Sequence, residues 1–128
     1  MVRRCARPRA RAAIGNDFMP RVTAGLWVQA YLARLGQAAI PGFVTAKGDA
    51  TAGAVLVKQN PMDGSACVYQ RSVDLVTGQR TWVVLAEGAE SDVDATIAHQ
   101  RRHDPDLWVI EVEDREGRHL LREPGLDS

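Results

Sequence analysis

Three histidines, His99, His103 and His119, fall within twenty-one residues of one another, and the chain has no others. Between them lie Arg101, Arg102, Asp104, Asp106, Trp108, Glu111, Glu113 and Arg118, so imidazoles, guanidiniums and carboxylates are denser here than anywhere else in the sequence. His99 and His103 are four apart, which on a helix points both rings the same way and lets them share a metal ion. Glu111 and Glu113 are two apart, which on a strand puts both carboxylates on one face, where they could divide acid and base roles or bind a hard cation. Each pattern is incomplete. Gln100, not Glu, follows His99, and no third ligand stands nearby, so the histidines and arginines read first as complements to the negative end of a helix dipole. The acids adjoin Arg115 and Arg118, as on a solvated strand end. The expectation is therefore no catalytic residue, no metal and no cofactor, with the residues named above as the candidate functional cluster.

Two other places invite a chemical reading. Lys47-Gly-Asp-Ala-Thr-Ala-Gly53 has the glycines, lysine and hydroxyl of a phosphate loop. It lacks the Gly-x-x-x-x-Gly-Lys-Ser/Thr order and leads into a strand, offering no helix N-terminus to an anion. Ser65, Ser72 and Ser91 sit in no nucleophile-elbow context.

The elements that must position the cluster follow from hydrophobic period. Residues 24–38 read as a helix capped by Thr23, with one row at Leu26, Ala30 and Ala33 and a parallel row at Trp27, Tyr31, Leu35 and Ala38. Strands are expected at 43–47, 54–59, 66–76, 80–86 and 107–113, with 118–122 as a last short one. Cys67, Tyr69, Arg71 and Val73 alternate with Val68, Gln70 and Ser72. The turns at Asn60-Pro61 and Thr77-Gly78 are short enough to favour antiparallel neighbours. Residues 91–103 read as a second helix, with Ser91 and Asp94 as a capping box and Asp104-Pro105 as its end. The fold class is thus α+β: a mainly antiparallel sheet of four to six strands with two packed helices.

Composition bounds the function. At 128 residues, 45% apolar and 25% charged, the chain fits one domain, taken as 19–122 with a loose tail at 123–128. Residues 1–18 hold five arginines against the single acid Asp17, and since the net charge is zero the remainder is acidic. The leader reads as a basic, disordered extension, with Met19 as an alternative start. An acidic domain argues against nucleic-acid binding by the fold itself, leaving such binding only to the leader. No 18-residue apolar run or secretory h-region exists, so membrane partners are excluded and a reducing cytoplasm is the default location.

Several stretches together resemble a known family. They are Leu26-Trp27-Val28, Lys47-Gly48-Asp49 with Ala52-Gly53-Ala54-Val55-Leu56, Trp82-Val83, and Arg101-Arg102 followed by Asp104-Pro105-Asp106-Leu107-Trp108-Val109-Ile110-Glu111-Val112-Glu113-Asp114 and Gly117-Arg118-His119. This pattern, spanning roughly Pro20 to Arg122, is similar to the mostly alphaproteobacterial domain-of-unknown-function family number 1491. The resemblance brings no activity, and His99 and His103 lie outside its pattern. The expected function is a non-catalytic module that binds a protein partner or a second copy of itself, through a sheet face that two helices leave uncovered. The alternatives are a small metal-dependent or acid–base hydrolase using residues 99–119, and nucleic-acid binding through the leader.

Overall fold

The structure, a computed structural model, describes residues 22–127. The basic leader and Met19 lie outside the described residues. The first helix, α1, spans Ala24–Gln37 and opens at Thr23, whose hydroxyl accepts from the Leu26 amide at 3.4 Å. Of the two rows read in the sequence, Trp27, Tyr31 and Leu35 are buried, while Leu26 is 54% exposed. The Trp row wins because it brings two aromatic rings to the sheet, far more apolar area than alanines supply.

Five strands follow: β1 (Gly42–Ala46), β2 (Val55–Asn60), β3 (Ser65–Val73), β4 (Arg80–Ala89) and, after helix α2 (Glu90–His103), β5 (Trp108–Glu113). They form one sheet in the order β1-β5-β2-β3-β4. β2, β3 and β4 make an antiparallel meander, β1 pairs antiparallel with β5, and only β2 with β5 is parallel. The parallel pair is the one joined through a helix, as crossover geometry requires. The fold is α+β, within the strand number expected.

Alternation along β2 divides the core in two. Val55 and Val57 pack with Trp27, Tyr31, Leu35, Tyr69, Trp82, Ile110 and Val112, so this face carries α1. Leu56 packs with Val68, Val93 and Leu107, so the opposite face carries α2. Cys67 lies in the α1-side core and is disulfide-bonded; Cys5, the chain's other cysteine, is outside the described residues.

Three expectations need correction. Residues 118–122 form no strand: Leu120 takes a left-handed backbone, φ 60°, which breaks extension. The tail at 123–127 is not loose. Leu121 and Leu126 are buried on the α1-side core, the Trp82 indole donates to the Leu126 carbonyl at 2.8 Å, and Arg34 pairs with Glu123 at 2.8 Å. This segment and α1 pack together on that face. Finally, α2 has no Ser91 capping box. β4 runs straight into the helix, Ala89 is the N-cap without a side-chain bond, and the Glu90 amide donates instead to the Gly64 carbonyl at 3.0 Å.

Candidate functional site

The segment 99–119 is spread over three surroundings. At the end of α2, His99 and His103 are exposed, their ring centroids 4.5 Å apart. His103 Nδ1 lies 2.9 Å from the His99 carbonyl, so one ring nitrogen is occupied by its own helix. Among the described residues no three or more His, Cys, Asp or Glu are grouped to hold a metal ion. Arg102 is exposed beside them. Arg101 turns the other way, donating to the Lys47 carbonyl at 3.3 Å and to that of Leu107 at 2.5 Å, which ties the helix end to the chain on either side. Asp104 accepts from the Asp106 amide at 3.1 Å, closing the turn into β5.

That turn is gripped by the glycine-containing loop. The Asp49 amide donates to the Asp106 carbonyl at 2.9 Å, the Trp108 indole donates to the Asp49 carbonyl at 2.7 Å, and the Asp49 carboxylate accepts the amides of Thr51 and Ala52 at 3.2 and 2.8 Å. A Cβ on Gly48 would sit 2.1 Å from the Asp106 carbonyl oxygen, and one on Gly53 2.5 Å from it. The glycines are there because two backbones touch, and Trp108, 6% exposed, is the bolt between them. The phosphate-loop look of Lys47–Gly53 thus has a packing origin, and two of the stretches that carry the family resemblance are contact partners.

On the α2 face, Glu111 joins a cluster the sequence did not show. Lys58, its cross-strand partner on β2, has a side chain only 6% exposed and contacts Glu90 at 2.7 Å, Asp94 at 2.8 Å and Glu111 at 3.4 Å. Asn60 adds a bond to Glu90 at 3.1 Å. Burial alone would lower the Lys58 pKa, but the hydrogen bonds to Asp94 and Glu90 and the Glu111 charge raise it above the usual lysine range. Such a lysine stays protonated and is no nucleophile. Glu113 is half-buried outside this cluster, its amide donating to Pro41. Asp114 is held below the usual carboxylate range by its hydrogen bonds from exposed Arg118, at 3.0 and 3.1 Å.

His119 lies across the sheet from Glu111, on the α1 face, with its ring 4.7 Å from that of Tyr69. Burial, helped by the Arg122 charge, pushes its pKa down to about 4. Its Nδ1 accepts from the Leu121 amide at 3.0 Å, and its carbonyl accepts from the Tyr31 hydroxyl at 2.7 Å. It is a neutral structural imidazole near pH 7. The two histidines of α2, the Glu111 cluster and His119 therefore do not meet.

The structure offers a different site. A cleft of about 510 Å³ opens at the end of the sheet where α1 and β2 begin and β3 ends. Its wall includes Trp27, Arg71, Arg80 and Leu107. The Arg71 guanidinium lies 4.6 Å from the Trp27 ring centre and 4.9 Å from that of Trp82. Its Nε and Nη2, and the neighbouring Trp27 Nε1, are buried without a hydrogen-bond partner among the described residues. Burial first, and the like charge of Arg80 second, bring the Arg71 pKa down to about 10. The available signal was alternation: Arg71 is a cation in phase with Cys67, Tyr69 and Val73 on an inward strand face.

The comparisons agree with this fold. The family model described as a protein of unknown function, DUF1491, matches residues 22–122. The chain is similar to a DUF1491 family protein from Caulobacter crescentus CB15 solved by crystallography, at 38% identity over 80% of this chain and 95% of that one, TM-score 0.71. An NMR structure of a DUF1491 family protein from the same organism gives 39% identity, 80% and 94% coverage, and TM-score 0.70. The solution structure of a protein from A. tumefaciens gives 28% identity over 80% of this chain and 94% of that one, TM-score 0.68. No curated protein matches the chain.

Proposed function

The chain belongs to the DUF1491 family, and from that premise we propose that it is a non-catalytic module that binds another protein chain. One observation carries this reading. At the β3–β4 turn Leu75 and Val76 are 97% and 94% exposed, side by side. The turn that presents them is built. The Asp74 carboxylate accepts the amides of Val76 at 2.8 Å and Thr77 at 3.2 Å, and the Asp74 carbonyl accepts from Gly78 at 2.7 Å. Two adjacent aliphatic side chains held in water on a fixed turn gain nothing for the monomer, and a preorganised apolar tip lowers the entropy lost on docking. Val73, on the approach to this tip, is 48% exposed and extends the apolar surface.

A second copy of the chain is the simplest occupant, and sedimentation velocity over a concentration series of the full chain tests it. A dimer that disappears in Leu75→Ser with Val76→Ser, at unchanged thermal midpoint, supports the reading. If the wild type stays monomeric, a heterologous partner must cross-link to wild type and not to the double variant. Equal cross-linking by both proteins overturns the reading. No helix among the described residues is long and apolar enough to cross a membrane. The cytoplasm is the setting in this proposal, where a disulfide at Cys67 would be reduced. Thiol labelling of Cys67 after rapid quenching of cells tests that placement.

A further inference from the structure

We propose that the cleft at the end of the sheet binds a carboxylate carried on a small, largely apolar molecule, with Arg71 as the principal contact. The inference is independent of the hairpin tip. It begins from three orphaned donors. Arg71 Nε, Arg71 Nη2 and Trp27 Nε1 are buried without partners among the described residues, and both residues stand in the wall of one cleft. Native proteins leave few such groups unsatisfied, and a cluster of them points to an absent acceptor. All three are pure donors, so the complementary group is one that only accepts, and Arg80 in the same wall adds positive charge. The acid in the lining, Asp104, has a carboxylate oxygen already engaged by the Asp106 amide.

Shape and chemistry narrow the ligand. A cavity of about 510 Å³ lies in the range that encloses small organic molecules. Val22, Ala54, Val55 and Leu107 line it alongside Trp27, giving an apolar body somewhere to rest. A guanidinium fork is planar and matches a planar carboxylate in two parallel bonds. Phosphate is the poorer fit, because the helix amides that such sites use are already committed. Ala24 and Gly25 donate to the carbonyls of Thr51 and Ala50 at 3.2 and 2.8 Å, and Leu26 donates to Thr23. Without ligand, the two indoles stack on the guanidinium and hold its charge by cation–π attraction. Binding draws the guanidinium out of that stack toward the carboxylate, so Trp27 and Trp82 report it.

The experiment titrates the full chain with phenylacetate, with phenylacetamide, with inorganic phosphate, and with a short peptide ending in leucine as free acid or amide. Tryptophan fluorescence and the NMR signals of the Arg71 Nε–H and Trp27 indole N–H are followed. Either acid should bind with shifts at both groups, its neutral amide should not, and Arg71→Gln should weaken binding by about tenfold or more. Binding of phenylacetate identifies the source as a free small acid, whereas binding of the peptide acid alone would place the carboxylate on a protein C-terminus and overturn the small-molecule assignment. Leu75→Ser with Val76→Ser should leave the titration unchanged, which separates this site from the hairpin. If Arg71→Gln fails to fold, the wild-type NMR signals decide. Millimolar acids that leave both signals unmoved, amides that bind as well as acids, or phosphate that binds more tightly than either acid would overturn the assignment.

Discussion

Lys58 and Arg71 are both cations on inward positions of neighbouring strands, one on each face of the sheet, and they are treated in opposite ways. Lys58 is ringed by Glu90, Asp94 and Glu111 and its charge is fixed. Arg71 lies between two indoles, with two of its nitrogens unpartnered among the described residues. A buried charge costs several kcal/mol unless it is paired, so the first arrangement serves the fold, whereas the second leaves a debt that a ligand can settle. His119 shows a third solution: burial lowers its pKa to about 4, and the group is carried neutral.

The largest test removes the Arg71 stack itself. Trp82→Ala loses a side chain 1% exposed together with its bond to the Leu126 carbonyl. Chemical denaturation should register a loss of about 3–5 kcal/mol. A much smaller loss would mean that Trp82 and Arg71 belong to a surface and not to the core.

Acid titration sharpens the third solution. A histidine whose folded pKa lies below its unfolded value of 6.5 takes up its proton first in the unfolded chain. Its contribution is intact above pH 6.5, falls as the pH drops toward about 4, and levels off below. The sign is that of lost stability on acidification, roughly 3 kcal/mol in all. The difference in pH dependence between wild type and His119→Gln isolates this group from the carboxylates. A variant with the same slope as wild type would place His119 in solvent.

Lys58→Met leaves Glu90, Asp94 and Glu111 facing one another on an apolar floor. Two of these acids are 38% and 54% exposed, so water relieves part of the repulsion. A loss of about 2–3 kcal/mol in urea denaturation is expected at pH 7. Arg71→Met should do the least, within about 1 kcal/mol of wild type and of either sign, because it removes a desolvated charge without stranding a described counter-ion. If Arg71→Met costs as much as Lys58→Met, the contrast between the two cations is wrong.

Much of the fold was legible in period and punctuation. Val55, Leu56 and Val57 mark a strand buried on both faces, Thr23 caps the first helix, and Asp104-Pro105 stops the second. The misses share a cause. Leu121 and Leu126 are single apolar residues in a polar stretch, and only a distant Trp82 and α1 make them core. Ser91 had the chemistry of a cap, yet β4 carried the chain into the helix before reaching it. The candidate site fared worse because sequence proximity was the only guide to it. Residues 99–119 are dense in functional groups, but alternation sends Glu111 to one face and the turn at Asp114 returns His119 to the other. Arg71 and Trp27 meet across a span of chain that no local pattern connects.

The strand order has a consequence for how the protein is made. Among the described strands β1 pairs only with β5, and β5 is the last of them in chain order. The β2–β3–β4 meander has all its own partners close in sequence and can register early. Until residues 108–113 arrive, β1 is an orphan edge and α1 has only part of its floor. Closing so long a loop is slow relative to hairpin formation, so the chain passes through an interval with β1 unpaired. The last of the described strands is thus the keystone, and a chain cut short before Trp108 would be a substrate for chaperones and proteases, not a smaller version of the same domain.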